Sequence, residues 1–463
     1  MFSRAVATHE RLMFSRSLKL TRFALAVAWL PLAGCENETP VANGVSGAAG
    51  KFVAVAGAAG VAGGSGAGAQ GGLQQGAGTG ELSAGGTAGA AGQGGGSGDV
   101  TGGGNAGGGG AAGAGGSAGN AGSGGAPPVV LDETLRQRAA AGMVPLQALY
   151  LTDTGLFDKN DWWTSANELE AVIDYTRETG DEQYVGDIEN TFVKNEKSKF
   201  DRYGFYDDDG WWAIVWIKAY DLRHEQKYLD MAKTIFARMA SSWDSKCGGG
   251  IYWRNQKDKK NAIPNSLFMQ TAAKLHQRTP GDAGAGSYLD FAQRTWTWFK
   301  ASGLITTSKQ VVDTLNNLSE CKPEGPVFTY NNGTLVGALT ELAASNGDQT
   351  LLDEAGAVAR ATMTLMADKG TLKEAGCGGD VCTQFKGIFL RNLLLHYRAR
   401  PAKDLQQYMR HQSDTLWNVS RNAKNEFGYE WHLPFDNTGS AGKRQSSALD
   451  ALTAAFASSS PLP

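Results

Sequence analysis

Glycine decides which part of this chain can fold at all. The chain has 463 residues and 63 glycines, and the glycines are unevenly spread. Residues 36–128 are almost entirely Gly, Ala and Ser, with scattered Asn, Gln and Thr. A segment of that kind buries too little apolar surface to offset chain entropy, so it is expected to stay disordered. Its G-x-G-x-x-G matches lack a flanking strand and helix and follow from composition alone. As a flexible tether its root-mean-square span would be about 55 Å. Length alone would admit two or three domains, but ordinary composition is confined to residues 129–463, enough for one large core. A net charge of −3 gives no reason to expect nucleic acid as a partner.

Residues 1–35 read as a bacterial lipoprotein signal peptide. Arg16, Lys19 and Arg22 make a charged region, Phe23 to Leu30 a short apolar one, and Leu32-Ala33-Gly34-Cys35 a lipobox. The apolar run is too short to span roughly 30 Å of hydrocarbon, so cleavage before Cys35 is expected rather than a membrane-spanning anchor. Lipidation of Cys35 would hold the exported protein to a membrane, with the tether carrying the domain outward. Met1-Phe2-Ser3-Arg4 recurs as Met13-Phe14-Ser15-Arg16, which makes Met13 a second candidate start.

Within the domain one unit recurs: a polar turn, then a helix start bearing an aromatic or Leu pair. It is seen at Gly180-Asp181 before Tyr184, Glu225 before Tyr228-Leu229, Gly281-Asp282 before Tyr288-Leu289, and Gly347-Asp348 before Leu351-Leu352. Apolar residues follow at helical spacing, as in Leu229, Ala232, Ile235, Phe236 and Met239. The recurrence predicts all-α helical hairpins, as a stack, a solenoid or a closed ring. Only short stretches such as Gly249 to Trp253 are candidates for strand. Cys247, Cys321, Cys377 and Cys382 are an even set in an exported chain, so disulfides are expected. Cys377 and Cys382, close in a Gly-rich loop, form one pair, and Cys247 with Cys321 the other. Zinc is the competing reading, but the ligand spacing is wrong and no His lies near. No cofactor or metal is called for.

The chemistry concentrates at Phe205-Tyr206-Asp207-Asp208-Asp209-Gly210-Trp211-Trp212. Asp is favoured at a helix start, but three adjacent carboxylates repel one another, a cost that a cap does not require. Their spacing does not match a calcium loop. The helix that follows, with Ile214, Val215, Trp216, Ile217 and Ala219, is apolar nearly all round and is expected to be buried. Together with Cys247-Gly248-Gly249-Gly250-Ile251-Tyr252-Trp253, Lys260-Asn261 with Asn265, Thr329-Tyr330-Asn331-Asn332-Gly333, and Phe385-Lys386-Gly387 with Arg391, this stretch resembles glycoside hydrolase family 76, the retaining endo-α-1,6-mannanases. The blocks stand in the family's order from about Leu146 to Phe456.

The resemblance implies an (α/α)6 barrel, with Asp207 as nucleophile and Asp208 as general acid/base. It also implies that Asp313 binds the sugar next to the scissile bond, although Thr314 stands where the family usually has Gly. Asp209, where the family commonly has Glu, is expected to cap the helix or support the pair. Adjacent Cα atoms lie 3.8 Å apart, so adjacent carboxyls lean towards the retaining separation of about 5 Å. Neighbouring helix residues point different ways, which confines the pair to a loop or first turn. Tyr330 and Asn331 are candidates for binding sugar hydroxyls, and Trp253 for stacking on a pyranose face. Phe385, Lys386 and Arg391 either line the site or anchor a helix end, and Trp162, Trp163, Trp211 and Trp212 are assigned to the core. P-loop, H-E-x-x-H and G-x-S-x-G motifs are absent from residues 129–463.

The expectation is a lipid-anchored, monomeric endo-α-1,6-mannanase acting on mannan outside the cytoplasm. Its rivals are a transglycosylase with the same site, a catalytically silent glycan-binding lipoprotein, and a uronide-acting enzyme, which would need a basic pocket.

Overall fold

The computed structural model describes residues 131–159, 161–374, 377 and 380–462; the expected signal peptide with Cys35 and the expected tether lie outside the described residues. Within them the chain forms twelve α-helices. These are α1 (Glu133–Gln147), α2 (Trp162–Thr179), α3 (Gly186–Asn195), α4 (Tyr206–Arg223), α5 (Gln226–Ala240), α6 (Ala262–Gln277), α7 (Tyr288–Ser302), α8 (Thr329–Asn346), α9 (Thr350–Leu365), α10 (Phe385–Ala399), α11 (Lys403–Asn418) and α12 (Ala441–Ala457).

The even-numbered helices pack on one another in the order α2, α4, α6, α8, α10, α12 and back to α2, which closes a ring. Odd-numbered helices cover it from outside, with α5 on α4, α7 on α6, α9 on α8, and α1 and α11 on α12. This is an (α/α)6 barrel. The two kinds of helix follow from their sequences. Inner helices are buried without a break over most of their length, Ala262 to Leu275 in α6 and Asn331 to Ala343 in α8. Outer helices bury a single stripe, in α5 Tyr228, Leu229, Ala232, Ile235, Phe236 and Met239. The recurring polar turns mark the step from an inner to an outer helix, where Gly180 and Gly347 end α2 and α8 in the left-handed conformation.

All six inner helices therefore begin at one end of the ring, and the long connections gather there. One connection carries a feature that helical patterning missed. Strand Val312–Asn317 pairs antiparallel with Lys322–Val327 and, on its other side, with Lys260–Asn261. The outer strand holds Pro323, Gly325 and Pro326 and is mostly exposed, so it lacks the alternation that announces a strand. Gly249 to Trp253, the expected strand, is instead irregular chain. Both disulfides join the expected partners, Cys247–Cys321 and Cys377–Cys382, with Cα separations of 5.4 and 6.2 Å.

Glycine sets how closely the inner helices approach. A Cβ on Gly333 would lie 2.5 Å from the Cα of Phe389 on α10, and one on Gly387 would lie 2.5 Å from the Cα of Ser447 on α12. Backbone cannot yield as a side chain can, so Gly333→Ala and Gly387→Ala are each expected to cost about 1–3 kcal/mol in urea unfolding. Gly186→Ala, at an open position on α3, should leave the midpoint unchanged or slightly raised.

Candidate active site

The carboxylate triplet occupies the first turn of α4, after Phe205 in extended conformation. Successive residues there diverge, and the three carboxyls have different surroundings. Asp209 turns outward to α5, where Arg238 grips both its oxygens at 2.6 and 2.9 Å. Asp207 and Asp208 line a cavity of about 470 Å³ at the end of the ring where the inner helices begin. Its walls come from the starts of α2 (Asp161, Trp162, Trp163), α8 (Phe328, Tyr330) and α10 (Phe385), with Trp211 from α4. Tyr203, Phe205, Trp253, Lys259, Asn261, Asp313, Val381 and the Cys377–Cys382 disulfide complete them. Tyr330 and Phe385 stack face to face, with ring centroids 3.8 Å apart.

Two loops are braced to deliver their residues here. Lys260, fully buried, donates from Nζ to Asp244 (2.7 Å) and to the carbonyls of Lys246, Gly249 and Gly250. Asn265 clamps both the N–H and the carbonyl of Ile251. That fixes the path to Trp253, whose Nε1 donates to Oδ2 of Asp207 at 3.0 Å. Oδ1 of Asp207 is buried and has no hydrogen-bond partner among the described residues. Across the cavity the strand carries Asp313, held by Asn261 at 3.1 Å and Asn331 at 2.9 Å.

Burial dominates the electrostatics. It pushes Asp207 up to about 7, against the pull of the Trp253 N–H and the amides at the start of α4. Asp208 is pushed well above the usual carboxylate range by burial and by the charges of Asp207, Asp209 and Asp161. The pair is thus unequal: Asp207 has donors that favour its ionised form, whereas Asp208 is surrounded by other acids. One carboxylate and one carboxylic acid in a single cleft is the division of labour that glycoside cleavage requires. Burial also raises Asp313, and Lys259 counters it.

The family model of glycosyl hydrolase family 76 matches residues 139–463. The chain belongs to this family. Mannan endo-1,6-alpha-mannosidase DCW1 of Saccharomyces cerevisiae is 26% identical over 275 residues, 53% of this chain and 60% of that relative. The chain spans about half the length of the curated relatives it matches. Among solved structures, an inactive variant of the alpha-1,6-mannanase GH76A of Salegentibacter sp. HEL1_6, in complex with alpha-1,6-mannotriose, matches with a TM-score of 0.61. It is 23% identical, covering 70% of this chain and 99% of that one. Dfg5 from Chaetomium thermophilum, in complex with glucosamine, matches with a TM-score of 0.64 at 18% identity, over 73% of this chain and 94% of that one.

The structure of this family 76 domain brings together Asp207, Asp208, Asp313, Tyr330, Trp253 and Phe385, and sets two expected site residues aside. Asn331 is fully buried and reaches Asp313, not the cavity. Lys386 is buried behind Phe385, where its ammonium donates to the carbonyl of Tyr429 and faces the Tyr429 and Trp431 rings. Arg391 anchors the interior through Glu170 and Asp450, at 3.0 and 3.3 Å. Trp162, Trp211 and Trp212 are core as assigned, although Trp162 and Trp211 also border the cavity; Trp163 is only partly buried and lines it. Asp161, Tyr203, Lys259, Asn261 and Phe328 were not singled out as site residues. Asp161-Trp162-Trp163 repeats the acid-before-paired-Trp pattern of α4, and Phe328 adjoins the Tyr330 block, so a signal was present.

A buried acid with a raised pKa makes the fold depend on pH in a definite direction. Asp207 moves from 3.8 to about 7 on folding, so its stabilising protonated form is retained below about 4 and lost as pH rises through 7. Asp207→Asn removes that loss. At pH 8 the variant should be more stable than the parent by about 1–3 kcal/mol, and the difference should shrink towards zero near pH 4. Thermal unfolding at the two pH values measures it.

Proposed function

We propose that this domain is an endo-α-1,6-mannanase that cleaves mannan backbones with retention, through a covalent glycosyl-enzyme. The observation that carries the reading is the unequal pair of adjacent acids in one cleft. An oxygen of Asp207 attacks the anomeric carbon while Asp208 passes its proton to the departing glycosidic oxygen. Asp208, now ionised, then takes a proton from water, which attacks the same carbon and releases Asp207. Asp313, fixed by two amides, accepts hydrogen bonds from hydroxyls of the bound sugar. The aromatic walls formed by Tyr330, Phe385 and Trp163 suit the apolar faces of pyranose rings.

The Salegentibacter enzyme supports this reading, because its inactive variant carries replacements at two consecutive aspartates and its complex holds alpha-1,6-mannotriose. Four acids and one lysine line the cleft, a balance that favours a neutral glycan over a uronide. We also propose that the protein is exported, cleaved before Cys35 and lipid-anchored there, with residues 36–128 spanning the gap to the polymer. Mass spectrometry of the membrane-released N-terminus checks that; an unmodified Cys35 would remove it.

Linear α-1,6-mannan should be cut internally, and proton NMR of the first products should show the α anomer; initial β product would overturn retention. Trisaccharides lengthened on an added acceptor would mark transfer to sugar in place of water. Asp207→Asn and Asp208→Asn should each lower kcat/KM at least about 1,000-fold. Only Asp208→Asn should recover on a substrate with an activated aryl leaving group, which needs no proton. The acidic limb of kcat/KM should lie near pH 7, where Asp207 ionises.

A further inference from the structure

Trp253 lines the cleft, and its ring is crowded by two cations and a second aromatic. The ammonium of Lys259 lies 4.3 Å from the ring centroid and the Arg254 guanidinium 5.0 Å. Phe205 packs against it with centroids 4.9 Å apart. The backbone fixes the residue as firmly. Its carbonyl accepts from the N–H of Tyr206 at 2.8 Å, its own N–H donates to the Lys259 carbonyl at 2.9 Å, and the next turn is tied by Asn255 N–H to the Gly204 carbonyl at 2.9 Å. The indole is thus locked to the entry of α4 on one side and to Lys259 on the other. Its single polar atom is spent on Asp207.

We propose that Trp253, with Lys259 over its ring, is a positioning residue for the nucleophile: the indole N–H pins Oδ2 of Asp207 and so fixes the orientation of the attacking carboxylate. The ammonium draws π density towards itself, which makes the N–H a stronger donor to a carboxylate. In the covalent step the Asp207 carboxylate bonds to the anomeric carbon as the carbon–oxygen bond of the linkage breaks, and the departing oxygen takes the Asp208 proton. The indole contact restrains the carboxylate from rotating away from the line of attack. This inference rests on the retaining role of Asp207 proposed above.

Other groups act on the same carboxylate. Asp313 from the strand opposes its ionisation; Asp208 beside it is itself faced by the charges of Asp207, Asp209 and Asp161. Tyr330 at the start of α8 feels the charge of Asp207. Lys259 acts on Asp313 and Asp258 as well, and Arg254 is engaged by Asp258. Among these neighbours, the Trp253 N–H is the side-chain donor in contact with Asp207.

The test uses Trp253→Phe, Lys259→Met and Lys259→Arg in the full chain, each checked for a native thermal transition. Infrared difference titration reads the Asp207 carboxyl directly, assigned by its loss in Asp207→Asn, and needs no substrate. Trp253→Phe should raise that titration by about one pH unit and move the acidic limb of kcat/KM with it. It should lower kcat roughly 10- to 100-fold with KM little changed. Lys259→Met should shift both in the same direction by a smaller step, and Lys259→Arg should restore them. An unmoved titration with a raised KM in Trp253→Phe would show a sugar platform and overturn the proposal. Absence of mannan turnover by the unmodified protein would remove the proposed function instead, while the infrared titration would still decide the link between indole and carboxylate.

Discussion

A helix buried on every face meets solvent only at its ends, so any charge along its length must be paired inside the ring. The inner helices meet this demand over their middle turns. Lys218 reaches Glu170 at 2.7 Å and Asp174 at 2.6 Å, and Lys274 pairs with Glu341. Arg391 ties Glu170 to Asp450 across α2, α10 and α12. The demand is relaxed at the end where the helices begin. Asp207 and Asp208 have no cationic partner among the described residues, and only the positive ends of the helix dipoles and the Trp253 N–H stand against their desolvation.

Several residues that read as a site turn out to hold the site together. The Lys-Asn pair is an example: Lys260 has no exposure and serves four acceptors, while Asn261 lines the cleft and orients Asp313. The Cys247–Cys321 disulfide joins the loop that leads to Trp253 to the turn of the hairpin that bears Asp313. Long connections between inner helices would otherwise be free to move relative to the ring. Here each is tied down by a buried amide, an ammonium or a covalent bridge before it presents a functional side chain.

Much of this was legible in the sequence. Apolar residues all round α4 announced an inner helix, and the polar turns announced the outer ones. Closure of the ring was not legible, because periodicity fixes hairpins and not how many complete a circle; the family resemblance supplied it. The hairpin escaped because its outer strand is exposed and rich in Pro and Gly. The misplacements have a common cause. In Tyr330-Asn331 and in Phe385-Lys386 the first residue faces the cleft and the second turns behind it. A step of about 100° per helical residue separates them, and a motif read as a string does not record that rotation.

The same rotation answers the objection that neighbouring helix residues cannot share a task. Three consecutive aspartates in a first turn point towards three different neighbours. Asp207 meets Trp253, Asp208 feels Asp161 at the start of α2, and Asp209 meets Arg238 on α5. Had the acids shared one environment, they would have titrated alike and neither would have had a fixed role. Divergence gives each a separate partner while the short backbone keeps the first two within one cavity. Adjacency in the chain therefore supplies closeness and inequality together, and the proposed mechanism, in which one acid attacks while the other protonates, needs both.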